Sequence, residues 1–164
     1  MNAELARSMF SYDKDSGKLF WKFSSGMFAE GDEVGTKTSS PNCRTEYLQV
    51  TLFKKTYKVH RLIWLILHGS FPDCYIDHID GNGLNNSKSN LREATPSQNM
   101  MNQRVRSDSS SGVKGVSFDK SRNKWYAYIN KDGKRKMLGR YEAKSEAINA
   151  RHIAELSCHG EFAL

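Results

Sequence analysis

The chain has no apolar run near the length that crosses a bilayer, and its N-terminus carries no signal-peptide pattern. Those absences predict a soluble, cytoplasmic protein with no membrane partner. Cysteine is scarce: Cys43, Cys74 and Cys158 are odd in number, far apart and never in a C-x-x-C pair. That argues against a disulfide framework and a cysteine zinc site, so no structural zinc is expected. No internal repeat is present.

What the chain does have is enough apolar material to fold. It is 164 residues long with 38% hydrophobic and 11% aromatic side chains, room for one ordinary domain or a few small ones and well outside disordered composition. Its net charge of +7 is uneven: residues 1–100 hold 12 Lys and Arg against 11 Asp and Glu, residues 101–164 hold 13 against 7. The excess of +1 in the first part and +6 in the second suggests a polyanion-binding module joined to a near-neutral one.

The pattern along the chain predicts an α+β protein. Residues 1–58 read as mainly β, with strand-like runs at 18–23 and 47–53 bounded by turns, and 31–35 with the Thr/Ser-rich stretch after it read as a loop. Arg61 to Leu67 is apolar nearly all round, a short buried helix closing at Gly69. Leu91 to Ala94 reads as a strand, and Thr95-Pro96-Ser97-Gln98 is a capping box that starts a helix at Pro96. A basic, serine-rich linker spans 104–112. Three strand-like segments follow at 115–118, 124–129 and 135–139, with a hairpin signal at Lys131-Asp132-Gly133, and a helix runs from about Ser145 to His159. Alanines at 147, 150 and 154 on that helix permit close docking on a sheet.

The chemistry concentrates at Asp77-His78-Ile79-Asp80-Gly81-Asn82. A carboxylate stands beside an imidazole at the end of a strand-like run, ahead of a sharp turn and a series of asparagines. A histidine with a fixed orientation and a nearby charge can act as a general base. A hard divalent cation needs a few oxygen donors converging on one point. This stretch can supply both.

The segment Val59-His60-Arg61-Leu62, Asp77-His78-Ile79-Asp80-Gly81-Asn82, Asn86, Asn90-Leu91-Arg92, Asn99 and Asn102 resembles the HNH endonucleases, in particular the phage and intron-homing branch. The resemblance covers roughly residues 10–103. It implies a ββα-metal (His-Me finger) nuclease core over 59–103, with 1–58 as its β-rich N-terminal region. His78 would deprotonate the attacking water, Asp77 and Asn99 would hold one magnesium or manganese ion, and Asn90 would orient His78 or its loop. A helix cap is the alternative for Asn90, and an exposed helix position the alternative for Asn99. Asn85 and Asn86 read as turn residues. His60 fits packing or helix-start hydrogen bonding as well as DNA contact.

Residues 113–164 resemble the DNA-binding domain of plant ethylene-response factors (the Apetala type). The resemblance rests on Gly115-Val116, Trp125-Tyr126-Ala127-Tyr128-Ile129, Leu138-Gly139 and the alanine-rich helix. It implies a three-stranded antiparallel sheet packed on one helix and laid in the major groove. Candidates for DNA contact are Lys114, Ser117, Arg122, Lys124, Trp125, Tyr128, Arg135 and Lys136, with the family placing the Trp125 ring against the DNA backbone.

The whole chain then reads as a modular, phage-type homing endonuclease acting on double-stranded DNA in the host cytoplasm. One site per chain makes nicking the simplest outcome for a monomer. The competing reading is a catalytically inactive DNA-binding regulator on a nuclease fold. An RNA partner fits less well, because the A-form major groove is too narrow for a sheet.

Overall fold

The computed structural model describes residues 1–39, 45–101, 105, 109–131 and 133–159. Cys43, Asn102, Asp132 and, within the expected linker, 104 and 106–108 lie outside the described residues. The chain divides into two compact units, Met1–Thr95 and Pro96–Leu164.

The first unit opens with a helix where the sequence reads as β. Helix α1 spans Ala3–Met9, and the Asn2 side chain accepts from the Leu5 amide at 2.9 Å. That N-cap and Glu4 in the first turn are the local signals for it. Ala6 is fully buried, so a small-residue face and not a hydrophobic run docks the helix. Strands β1 (Phe10–Tyr12) and β2 (Leu19–Trp21) form an antiparallel hairpin.

The stretch expected to be a loop partly folds. Val34 is fully buried and its amide donates to the Leu19 carbonyl, and β3 (Thr36–Thr38) pairs with β4 (Tyr47–Leu52). Strand β5 (Lys55–Lys58) completes a three-stranded antiparallel sheet through a two-residue turn in which Phe53 and Lys54 both take positive φ. Helix α2 (Val59–His68) follows and ends at Gly69, whose left-handed φ of 84° matches the expected stop. Val59, Leu62, Ile63 and Leu65 from α2 join Phe10, Leu19, Trp21, Val34 and Leu52 in one core. Strands β6 (Tyr75–His78) and β7 (Leu91–Ala94) form a separate antiparallel ribbon, with a 3-10 turn at Lys88–Asn90 leading into β7.

The second unit holds α3 (Pro96–Met101), then β8 (Val116–Asp119), β9 (Lys124–Lys131) and β10 (Lys134–Tyr141), then α4 (Lys144–His159). The three strands form one antiparallel sheet in the order β10-β9-β8. Ala147 on α4 is fully buried against Val116 and Ala127, as the alanine stripe predicts. The architecture is mixed helix and sheet, built from small antiparallel sheets. Among the described residues no helix is long and apolar enough to cross a membrane.

Candidate active site

Strand β6 ends on the residues that carry the chemistry. Asp77 lies opposite Arg92 in the β6–β7 ladder, and His78 lies opposite Leu91. Both Nε and Nη2 of Arg92 donate to Asp77 Oδ2 at 2.9 Å, and both side chains are largely buried. The sequence reading gave Asp77 to a cation and gave Arg92 no role; the cross-strand register is what joins them.

The chain after His78 turns back at once, with the Gly81 amide donating to the His78 carbonyl at 2.8 Å. Asp80 and Asn90 close this loop from opposite ends. Asn90 Oδ1 accepts from the Asp80 amide at 3.0 Å, and its Nδ2 donates to Asp80 Oδ1 and to the Asn85 carbonyl. Burial pushes the Asp80 carboxyl up, but hydrogen bonds from the Asn82 amide, Asn85 and Asn90 outweigh it and hold it below the usual carboxylate range. Asn90 is therefore placed to fix the loop that follows the histidine.

His78 is held by a different asparagine. Its Nε2 lies 2.9 Å from Asn86 Oδ1. The Asn86 backbone carbonyl accepts from the Tyr12 hydroxyl at 2.9 Å, and the Lys88 amide donates to the Lys14 carbonyl at 3.4 Å. Gly17, with φ at +72°, comes so near that a Cβ there would collide with the backbone of Asn86 and Ser87. The β1–β2 turn thus presses on the loop that carries Asn86. Sequence reasoning took Asn86 for a turn residue; the missing signal was its burial, since only 1% of it is exposed.

Two further rings frame the imidazole. His60, in the first turn of α2, packs edge-on to His78 with centroids 5.2 Å apart, and Tyr47 stands 5.8 Å from His78. Burial, reinforced by the neighbouring His78, Arg61 and Lys58, pushes the His60 pKa down to about 3. Burial also lowers that of His78, against opposing contributions from Asn86, Asp80 and Asp77. Both rings are therefore neutral at pH 7, the form a general base needs. Among the described residues, His60 Nδ1 and Asn86 Nδ2 are buried and have no hydrogen-bond partner.

Residues 57–101 match the model of the HNH endonuclease family. Protein 3.8 of Escherichia phage T7 is 35% identical over 115 residues, covering 68% of this chain and 94% of that protein. An HNH endonuclease of Acanthamoeba polyphaga mimivirus, L560, is 37% identical over 108 residues, covering 65% of this chain and 55% of that protein. Residues 57–101 form an HNH endonuclease domain, and the chain belongs with Protein 3.8 of phage T7 in one family. It spans about half the length of the mimivirus relative. No solved structure matches it significantly.

The HNH match contains His60, Asp77, His78, Asn86, Asn90 and Asn99, whereas Tyr12 and Gly17 lie outside it. Asp77, His78, Asn86 and Asn90 stand together in the first unit. Asn99 is on α3, in the second unit. Among the described residues no three His, Cys, Asp or Glu side chains gather as a metal-binding group. A cation at Asp77 of this HNH protein would share the carboxylate with Arg92 and take waters and phosphate for the rest of its shell. A single carboxylate is a sparse, hard donor, of the kind a hard divalent cation takes when water and phosphate complete its shell.

The DNA-contact candidates occupy several places in the second unit. By register, Ser117 lies opposite Tyr126, Tyr128 opposite Met137, and Asn130 opposite Arg135, so these share one sheet face. Arg135 stacks over the Tyr128 ring at 4.1 Å. Trp125 lies on the other face, half-buried against the small core with the Lys144 ammonium over its ring. Lys136, opposite Ile129, starts from that same face, and its side chain is exposed. Arg122 pairs with Asp119 at 3.1 Å and Lys124 with Glu142 at 2.8 Å. Lys114 is half-buried, and its carbonyl accepts from Arg151 Nε.

Proposed function

We propose that this HNH protein is a metal-dependent endonuclease of the homing type that hydrolyses phosphodiester bonds in duplex DNA, cutting one strand per event. The observation that carries the reading is a buried imidazole, held by a side-chain hydrogen bond, next in sequence to a carboxylate. His78 takes a proton from water as the water oxygen bonds to phosphorus. The opposite P–O bond breaks and its electron pair leaves on the departing oxygen. Asp77 would hold the cation. When bound, such a cation neutralises charge gained on the phosphate and leaving oxygens. Asn90 keeps the loop shaped so that His78 stays at the ribbon's end.

A supercoiled-plasmid assay tests this. Nicked circles should accumulate with magnesium or manganese and vanish with excess chelator. Duplex binding with no nicking under any divalent ion would favour the regulator reading instead.

The second unit, on this proposal, brings the nuclease to DNA as an ethylene-response-factor-like sheet module. What supports it is the charge excess after residue 100, the three-stranded sheet backed by one helix, and a face carrying Ser117, Tyr126, Tyr128 and Arg135. Each phosphate contact contributes roughly 0.9 to the slope of log affinity against log salt. Arg135→Ala should lower that slope by about 1 and leave the cleavage chemistry intact, read by filter binding at several salt concentrations.

A further inference from the structure

Asn86 is chemically well placed for more than turn formation. It is buried, its backbone is held by the Tyr12 hydroxyl and by the close approach of Gly17, and its amide oxygen meets His78 Nε2 at 2.9 Å. An amide oxygen only accepts, so the ring nitrogen facing it carries the hydrogen. We propose that Asn86 is a positioning residue that sets the tautomer of His78, with hydrogen on Nε2 and the lone pair on Nδ1. Resting on the hydrolysis proposed above, this makes Nδ1 the atom that takes the proton from water. His78 then becomes imidazolium while its Nε2–H stays on Asn86, and the water oxygen forms the new bond to phosphorus as the bridging P–O bond breaks.

The choice of an amide suits this task. A carboxylate at the same place would favour the charged imidazolium and leave less neutral base. An amide orients the neutral ring without adding a charge. His60 and Tyr47 restrict the ring in the other directions, so its rotation is limited by packing as well as by the hydrogen bond. The opposite amide orientation would point Nδ2 at the ring and put the hydrogen on Nδ1. The two arrangements make opposite predictions about the same nucleus, and the ring itself can be asked.

The full chain, labelled with nitrogen-15 histidine, would be recorded by long-range proton–nitrogen correlation at neutral to mildly alkaline pH, with His78 assigned by its loss in His78→Ala. The expected pattern is protonated Nε2 and unprotonated Nδ1. In Asn86→Ala both tautomers should appear, and kcat should fall at least tenfold, with KM for DNA unchanged; losing a tautomer-setting partner can reach about 10⁴-fold. Asn86→Asp restores an acceptor, so it should recover the single Nε2–H pattern and part of kcat. A wild-type ring protonated on Nδ1, or an Asn86→Ala ring identical to wild type, overturns the assignment. Should Asn86→Ala not fold, the wild-type and Asn86→Asp spectra still decide. The spectra need no turnover, so an Nε2–H ring in a protein that cuts no DNA would sink the nuclease reading and leave the tautomer assignment standing.

Discussion

Replacing His78 with alanine should lower phosphodiester cleavage by about 10²- to 10⁴-fold while duplex affinity stays within a factor of two or three of wild type (roughly 0.5 kcal/mol). The size of the effect follows from what the imidazole does. Water at neutral pH is a poor nucleophile, and a positioned base contributes that much rate when its pKa lies near the working pH. Burial keeps His78 uncharged, and the Asn86 bond fixes its orientation. DNA affinity is expected to reside in the basic second unit, so binding and cleavage should separate. The alanine leaves Asn86 Oδ1 unpaired in a buried site, which costs about 1–3 kcal/mol of stability. Circular dichroism at the assay temperature must therefore show a folded variant before the rates are compared. Undiminished nicking by folded His78→Ala would falsify the mechanism.

Asp77→Ala should act on two quantities at once. The Arg92 guanidinium would lose its carboxylate partner across the ribbon in a largely buried place, and removing one member of a buried pair costs about 3–5 kcal/mol. Cleavage should also fall below detection, because the only carboxylate proposed for the cation is gone. The two losses can be told apart by removing Arg92 as well. Asp77→Ala with Arg92→Leu takes away the buried guanidinium as well and should regain most of the lost stability, measured by urea unfolding. It should regain none of the cleavage. Recovery of both would mean that Asp77 serves only to neutralise Arg92.

The sequence was most legible where local rules decide. The helix start at Pro96, the glycine stop at 69 and the strand-helix order of the second unit are all visible in residue type and spacing, and the structure has them. Helix α1 was missed because its docking face is made of alanines, which carry little periodic signal among β-formers. Arg92 and Asn86 were missed for another reason. Their partners lie 15 and 8 residues away and are joined by strand register and by burial, neither of which spacing alone specifies. Asp77 and His78 stand out in the sequence because chemistry, not geometry, makes that pair unusual.

The contact of the β1–β2 turn with Asn86 bears on how portable this nuclease is. The stretch that carries the family signature begins at residue 57, yet one of the supports beneath its histidine comes from Tyr12 and Gly17. A graft of 57–101 alone into another scaffold would transplant the reactive groups without the brace behind them. The transferable piece is longer than the recognisable one, and a chimera would need its junction placed ahead of β1.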